Sequence, residues 1–123
     1  MYLNLNLISP ETLQVQIAEK LRGLILSGEL PKGAALPSIR FMAKENRVSV
    51  ITVQRAYEAL EHEGVLFSRR AVGYFVADIS SGDKISIAME NLRVPLEKLI
   101  VRARNEGLTA EQIRDVIEKL LIK

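Results

Sequence analysis

The sequence predicts a mainly α-helical chain with one small β-hairpin, and three observations carry that reading. Apolar residues recur at helical spacing, as in Leu13, Ile17, Leu21, Leu24 and Ile25, and again in Val53, Ala56, Tyr57 and Leu60. Glycines stand where such runs stop, at Gly28, Gly64 and Gly107. Short β-type runs occur together just after the third helical run, near 65–68 and 74–77.

Each element has local support. Tyr2, Asn4 and Asn6 alternate with Leu3, Leu5 and Leu7, a period-2 pattern for a short strand or arm, with a loosely attached leader as the alternative. Ser9 suits the cap of a first helix, Pro10 its first position, and Glu11 its positive end. Gly28 stops that helix, and Pro31-Lys32-Gly33 makes a turn. Ser38 caps a short second helix, 39 to about 45, with Ile39, Met42 and Ala43 facing inward. Asn46-Arg47-Val48 is the tight connection to a third helix, capped by Ser49 and running to about Glu63. The two strands follow, joined by a tip containing Arg69 to Gly73.

Ser80-Ser81-Gly82 reads as a joint, dividing the chain into domains 1–78 and 79–123. A long helical stretch follows to about Arg104, with Ile87, Leu92, Leu96, Leu99, Ile100 and Ala103 on its apolar side. Pro95 has no N–H for the carbonyl of Asn91, so a kink or break is expected there. The last helix carries a capping box, Thr109 with Gln112, and Leu108 is placed to staple against Ile113. Its apolar face is Ile113, Val116, Ile117, Leu120 and Leu121.

Composition narrows the chemistry. The 123 residues contain no cysteine and a single histidine, His62. Disulfides, cysteine-based zinc sites, iron–sulfur clusters and a thiol nucleophile are excluded. His62 follows Glu58 by one helical turn, which makes an ordinary surface pair, and Glu61 and Glu63 point in different directions. No nucleophile–base set, phosphate loop or metal spacing accompanies them, so neither an enzyme nor a cofactor is expected. Met1 to Ile8 lacks the basic region of a secretory signal, and no run approaches the ~18 apolar residues of a membrane helix. A cytoplasmic protein with no membrane partner is expected. The net charge of +2 is small, but the excess of Lys and Arg lies in residues 1–77.

The order helix, turn, helix, hairpin suits a reader of duplex DNA, a winged helix-turn-helix followed by a C-terminal α-helical dimerisation tail. One helix crosses the backbone while the next enters the major groove. At ~100° per residue the core stripe of the third helix leaves Ile51, Gln54, Arg55 and Glu58 on or near the open side. Ile51 suits a thymine methyl, Gln54 the fork of adenine, and Arg55 guanine or a phosphate. Ser49 and Thr52, with free N–H groups at the helix start, suit phosphate oxygens. Arg40, projecting from the second helix, approaches the backbone or a base edge. Arg69 and Arg70, beside Gly73, make a basic wing for phosphate or the minor groove.

The ordered set Gly28, Leu30, Gly33, Leu36, Pro37, Ser38, Arg40, Ser49, Thr52, Val53, Ala56, Leu60, Gly64, Gly73, Phe75 and Val76 resembles the winged-helix pattern of the GntR family of bacterial transcription regulators. The match covers roughly residues 9–77, and the short helical tail is similar to the YtrA-like branch. That resemblance implies DNA contact at Arg40, Ser49, Thr52, Gln54 and the wing from Arg70 to Gly73, and repression by promoter occlusion. Ser38, Val50 and Ala71 complete the candidate interface. Val50 stands where many members carry arginine, so a polar contact is lost there. Ala71 stands where many carry glycine, so the wing tip is expected to turn differently.

The tail is too short to enclose much ligand or to be stable alone. A homodimer through Leu92, Leu96, Leu99, Ile100, Ile113, Val116, Ile117, Leu120 and Leu121 is expected, supplying the two-fold symmetry of a palindromic operator. A fold-back of the tail onto its own winged helix is the alternative. Arg93, Arg102, Arg104 and Arg114 belong to solvated faces and ion pairs, so a small-molecule effector is left open. The rival function is a winged helix that binds protein or RNA.

Overall fold

The computed structural model describes residues 1–8 and 12–122. The chain forms two compact units, Met1–Ser80 and Ser81–Lys123. The first contains α1 (Leu13–Leu26), α2 (Ile39–Asn46), α3 (Val50–His62), β1 (Leu66–Arg69) and β2 (Gly73–Val76). The second contains α4 (Ser81–Asn105) and α5 (Ala110–Leu121).

In the first unit α1 and α2 both pack on α3. The apolar stripes meet there: Ile17, Leu21 and Ile25 from α1, Met42 from α2, and Val53, Ala56, Tyr57 and Leu60 from α3 are all buried. Val65, Leu66 and Val76 close the core beneath the hairpin. Ile39, expected to face inward, is only half-buried, because it opens α2 at the rim of this core.

Thr12 caps α1, accepting from the Val15 N–H at 3.2 Å. The cap therefore lies three residues after the expected one; Ser9, Pro10 and Glu11 lie outside the described residues. Ser38 and Ser49 cap α2 and α3 as expected, accepting from the N–H groups of Phe41 and Thr52, each at 3.1 Å. The helix α2 runs one residue further than expected and is ended by Arg47 in the left-handed conformation, φ 55°.

The N-terminal arm is no strand among the described residues, yet it is attached. Leu3 is buried and Leu5 half-buried, while Leu7 is 76% exposed. The buried Asn46 amide at the end of α2 accepts from the Leu3 N–H at 2.7 Å and donates to the carbonyls of Met1 and Met42. Gln16, also buried, accepts from the Asn6 N–H and donates to the Asn6 carbonyl, both at 2.8 Å. These amides satisfy backbone groups of an arm that is not paired in a strand among the described residues, with Asn4 at φ 53°.

Both strands are shifted by one residue from expectation. Leu66 pairs with Val76 and Arg69 with Gly73, so Arg69 and Gly73 form the last rung and the tip is Arg70-Ala71-Val72. A further extended segment joins the outer edge of β2: Leu36 donates to the Tyr74 carbonyl at 2.9 Å, Gly33 to Val76 at 2.8 Å, and Val76 to Ala34 at 2.9 Å.

In the second unit the helix begins at Ser81, so Ser81 and Gly82 are helical rather than part of a joint. It passes Pro95 without a break. Pro95 has no N–H to donate to the Asn91 carbonyl, and Asn91 is exposed, so that carbonyl is not stranded in a core. The capping box of α5 is complete, with Gln112 donating to Thr109 Oγ1 at 3.2 Å and Thr109 donating to Gln112 Oε1 at 2.9 Å. No described residue of α4 or α5 is buried.

Tyr57 is the largest fully buried side chain, and its hydroxyl donates to the Pro37 carbonyl at 2.9 Å. Burial pushes its pKa well above the ordinary tyrosine value. Tyr57→Phe is expected to lower stability by about 1 kcal/mol, read from the urea midpoint at unchanged slope.

Candidate nucleic-acid interface

The surface around the start of α3 is built by helix capping. Ser49 accepts the Thr52 N–H, and the hydroxyls of Ser49 and Thr52 are 2.7 Å apart in a hydrogen bond. The Thr52 N–H is therefore engaged by the cap rather than free, contrary to expectation. The N–H groups of Val50 and Ile51 remain without an intrahelical acceptor, as in the first turn of any helix. Val50 and Ile51 are 47% and 49% exposed. Gln54 is half-buried and Arg55 exposed, while Val53, Ala56, Tyr57 and Leu60 turn inward.

Three elements are fixed around this surface. Arg40 is exposed in the first turn of α2, beside Ser38, whose hydroxyl is taken by the cap. Tyr57 ties that turn to α3 through Pro37, and its ring meets Tyr74 of β2 edge-on, with centroids 5.1 Å apart. The wing is held again by Glu61, which accepts from the N–H and hydroxyl of Ser68 at 3.1 and 2.6 Å. Burial raises the pKa of Tyr74, and the carboxylates of Glu61 and Glu58 raise it further.

The outer wing face carries a feature absent from the sequence reading. Phe67 and Phe75 stack with centroids 5.5 Å apart, and the Arg69 guanidinium lies 6.0 and 5.9 Å from their rings. Alternation along paired strands puts these side chains on one face, a signal readable once the register is known. Arg69 thus sits on an aromatic base, while Arg70 is exposed at the tip. Ala71 adopts φ 64°, so the turn keeps the left-handed conformation at a position where alanine bears a steric cost.

Among the described residues two arginines are paired with carboxylates, and the others, including Arg47, Arg102, Arg104 and Arg114, are exposed and outside ion-pair distance. Arg22 is neutralised by Glu63 through two bonds of 2.8 and 2.6 Å, and Arg93 is bracketed by Glu90 and Glu97. The Arg93 hydrogen bond and charge hold the Glu90 carboxyl below the usual range. Among the described residues Arg40, Arg55, Arg69 and Arg70 have no carboxylate within ion-pair distance. Glu58 and His62, expected to pair, do not. Their exposed side chains are free to remain apart in water, where such a pair is worth little. No group of His, Cys, Asp and Glu among the described residues is arranged to hold a metal ion, and no helix is long and apolar enough to cross a membrane.

A family model described as bacterial regulatory proteins, gntR family, matches residues 13–76. The chain is 31% identical over 111 residues to the uncharacterized HTH-type transcriptional regulator YhcF of Bacillus subtilis, covering 89% of this chain and 90% of that protein. It is 28% identical over 105 residues to the HTH-type transcriptional repressor YtrA of the same organism, covering 85% and 81%. The crystal structure of a transcriptional antiterminator from Listeria monocytogenes superposes with a TM-score of 0.74 at 25% identity, covering 98% of this chain and 89% of that one.

Glu61→Ala removes the acceptor that ties β1 to α3. Amide hydrogen exchange at Ser68 is expected to accelerate about fivefold, the effect of losing roughly 1 kcal/mol of hydrogen bonding. Unchanged exchange would show that the hairpin ladder alone holds the wing.

Proposed function

The chain belongs to the GntR family of bacterial regulatory proteins and is a DNA-binding transcriptional regulator, and from that premise we propose that it is a repressor occupying a palindromic operator as a homodimer. The observation that supports this reading is a solvent-facing first turn of α3 flanked by arginines that no carboxylate neutralises, on a frame locked by Tyr57. In this reading α3 lies in the major groove, with Ile51 toward a thymine methyl, Gln54 toward adenine, and Arg55 toward guanine or phosphate. Ser38, Arg40, Ser49 and Thr52 face the phosphate backbone, and Val50 lies beside them without a polar contact. Arg69 and Arg70 carry the wing, with Ala71 and Gly73 shaping its tip over phosphate or the minor groove. Binding would occlude a promoter in the cytoplasm.

The second unit supports the dimer. Leu92, Leu99, Val116, Leu120 and Leu121 are exposed, and Leu96, Ile100, Ile113 and Ile117 are only half-buried. A cleft of about 200 Å³ between α4 and α5 is lined almost wholly by these residues, Leu108 and Ala103. Two helices with no buried residue do not stabilise themselves. A second copy covers the same apolar face and brings a second α3 into two-fold relation with the first.

Selection of bound duplexes from a random pool tests the operator reading, and is expected to return an inverted repeat. Enrichment of no duplex would favour a protein or RNA partner. Arg40→Ala and Arg70→Ala are expected to weaken binding to every duplex and to reduce the salt slope by about one unit each. Gln54→Ala should instead relax preference at one base position, costing about 1–3 kcal/mol of discrimination. The reverse pattern would overturn this division of roles.

Sedimentation at micromolar concentration is expected to give twice the 13.8 kDa chain mass. Leu120→Glu, at a side chain 62% exposed in one copy, should shift it to the monomer and lower operator affinity. A wild-type monomer would remove the dimer from the account.

A further inference from the structure

We propose that Val50 and Ile51 together read the 5-methyl groups of thymines, so that each operator half-site is specified in part by apolar contact. This rests on the reading of α3 as the groove helix. Val50 and Ile51 are the first two residues of α3, and about half of each is exposed. Neither completes the core, which Val53, Ala56, Tyr57 and Leu60 fill with no exposure. Neither favours the helix, since β-branched side chains lose rotamer freedom there.

The polar groups of the same turn are engaged with one another. The Ser49 and Thr52 hydroxyls share a hydrogen bond, and Ser49 caps the Thr52 amide. The two aliphatic side chains are therefore the uncommitted part of the turn. At ~100° per residue Ile51 points opposite the core stripe, and Val50 lies on the flank shared with Gln54 one turn on. A side chain with no donor or acceptor cannot read the hydrogen-bond pattern of a base edge. The apolar feature that the major groove offers is the thymine methyl. Arginines that reach phosphate supply attraction without sequence information, so apolar contact at this turn adds base preference without adding charge.

The test alters the DNA before it alters the protein. A duplex enriched from the random pool by the full chain is resynthesised with deoxyuridine in place of each thymine in turn. Loss of the methyl is expected to weaken binding roughly fourfold at one or two positions in each half-site, the effect of one buried methyl group. Val50→Ala and Ile51→Ala, with urea midpoints checked, should each abolish the thymine-over-uracil preference at a different position. Two results overturn the proposal: equal binding of thymine and uracil duplexes at every position, or a methyl effect that survives intact in both variants. A pool that yields no enriched duplex defeats the operator reading and this inference together, whereas an enriched duplex indifferent to its methyls defeats this inference alone.

Discussion

The buried side chain of Tyr57 holds the first unit in its working shape. Its hydroxyl reaches the Pro37 carbonyl at the entrance to α2, and its ring meets Tyr74 of the wing edge-on. Edge-to-face aromatic contact and a hydrogen bond formed away from water are both directional. One residue therefore links the three elements that carry the exposed arginines. The same Pro37 region donates to the wing through Leu36, and Glu61 holds the other strand through Ser68. The wing is clamped from both edges, which suits a two-stranded sheet too small to be stable alone.

Net charge says little about this molecule, and the placement of unneutralised charge says more. The balance of +2 conceals a division between arginines committed to carboxylates and arginines left facing water, the latter including Arg47, Arg102, Arg104 and Arg114 as well as those near α3 and the wing. Arg22 braces α1 against the end of α3, and Arg93 braces one face of α4. Arg40, Arg55, Arg69 and Arg70 stand around the first turns of α2 and α3 and at the wing. A cation already paired contributes little to the capture of a polyanion, because its field is largely cancelled. Stacking Arg69 on two aromatic rings restricts its motion without neutralising it.

The second unit has a different physical problem. Its α5 carries a complete capping box and is strongly amphipathic, yet no described residue of α4 or α5 is buried. Burial of their apolar side contributes about 25 cal/mol per Å², a term that two lone helices cannot collect. The unit makes sense as half of an interface, and the proposed two-fold pairing joins its stability to the symmetry of the proposed operator.

Much of this was legible in the chain itself. Helical period, Ser38 and Ser49 as caps, the Thr109–Gln112 box and the hairpin all act within a few residues, so local pattern predicts them. The exposure of Ile51 and Arg55 follows from the inward stripe by helical geometry alone. What the tertiary structure decided involves distant partners: Leu3 with Asn46, Asn6 with Gln16, Tyr57 with Pro37, Glu61 with Ser68, and Gly33 to Leu36 along β2. The one-residue strand shift, the later start of α1 and the aromatic seat of Arg69 belong to the same class. Local propensity sees only neighbours a turn or a pair away. The energy of these contacts exists only after packing has brought distant backbone groups together and withdrawn them from water.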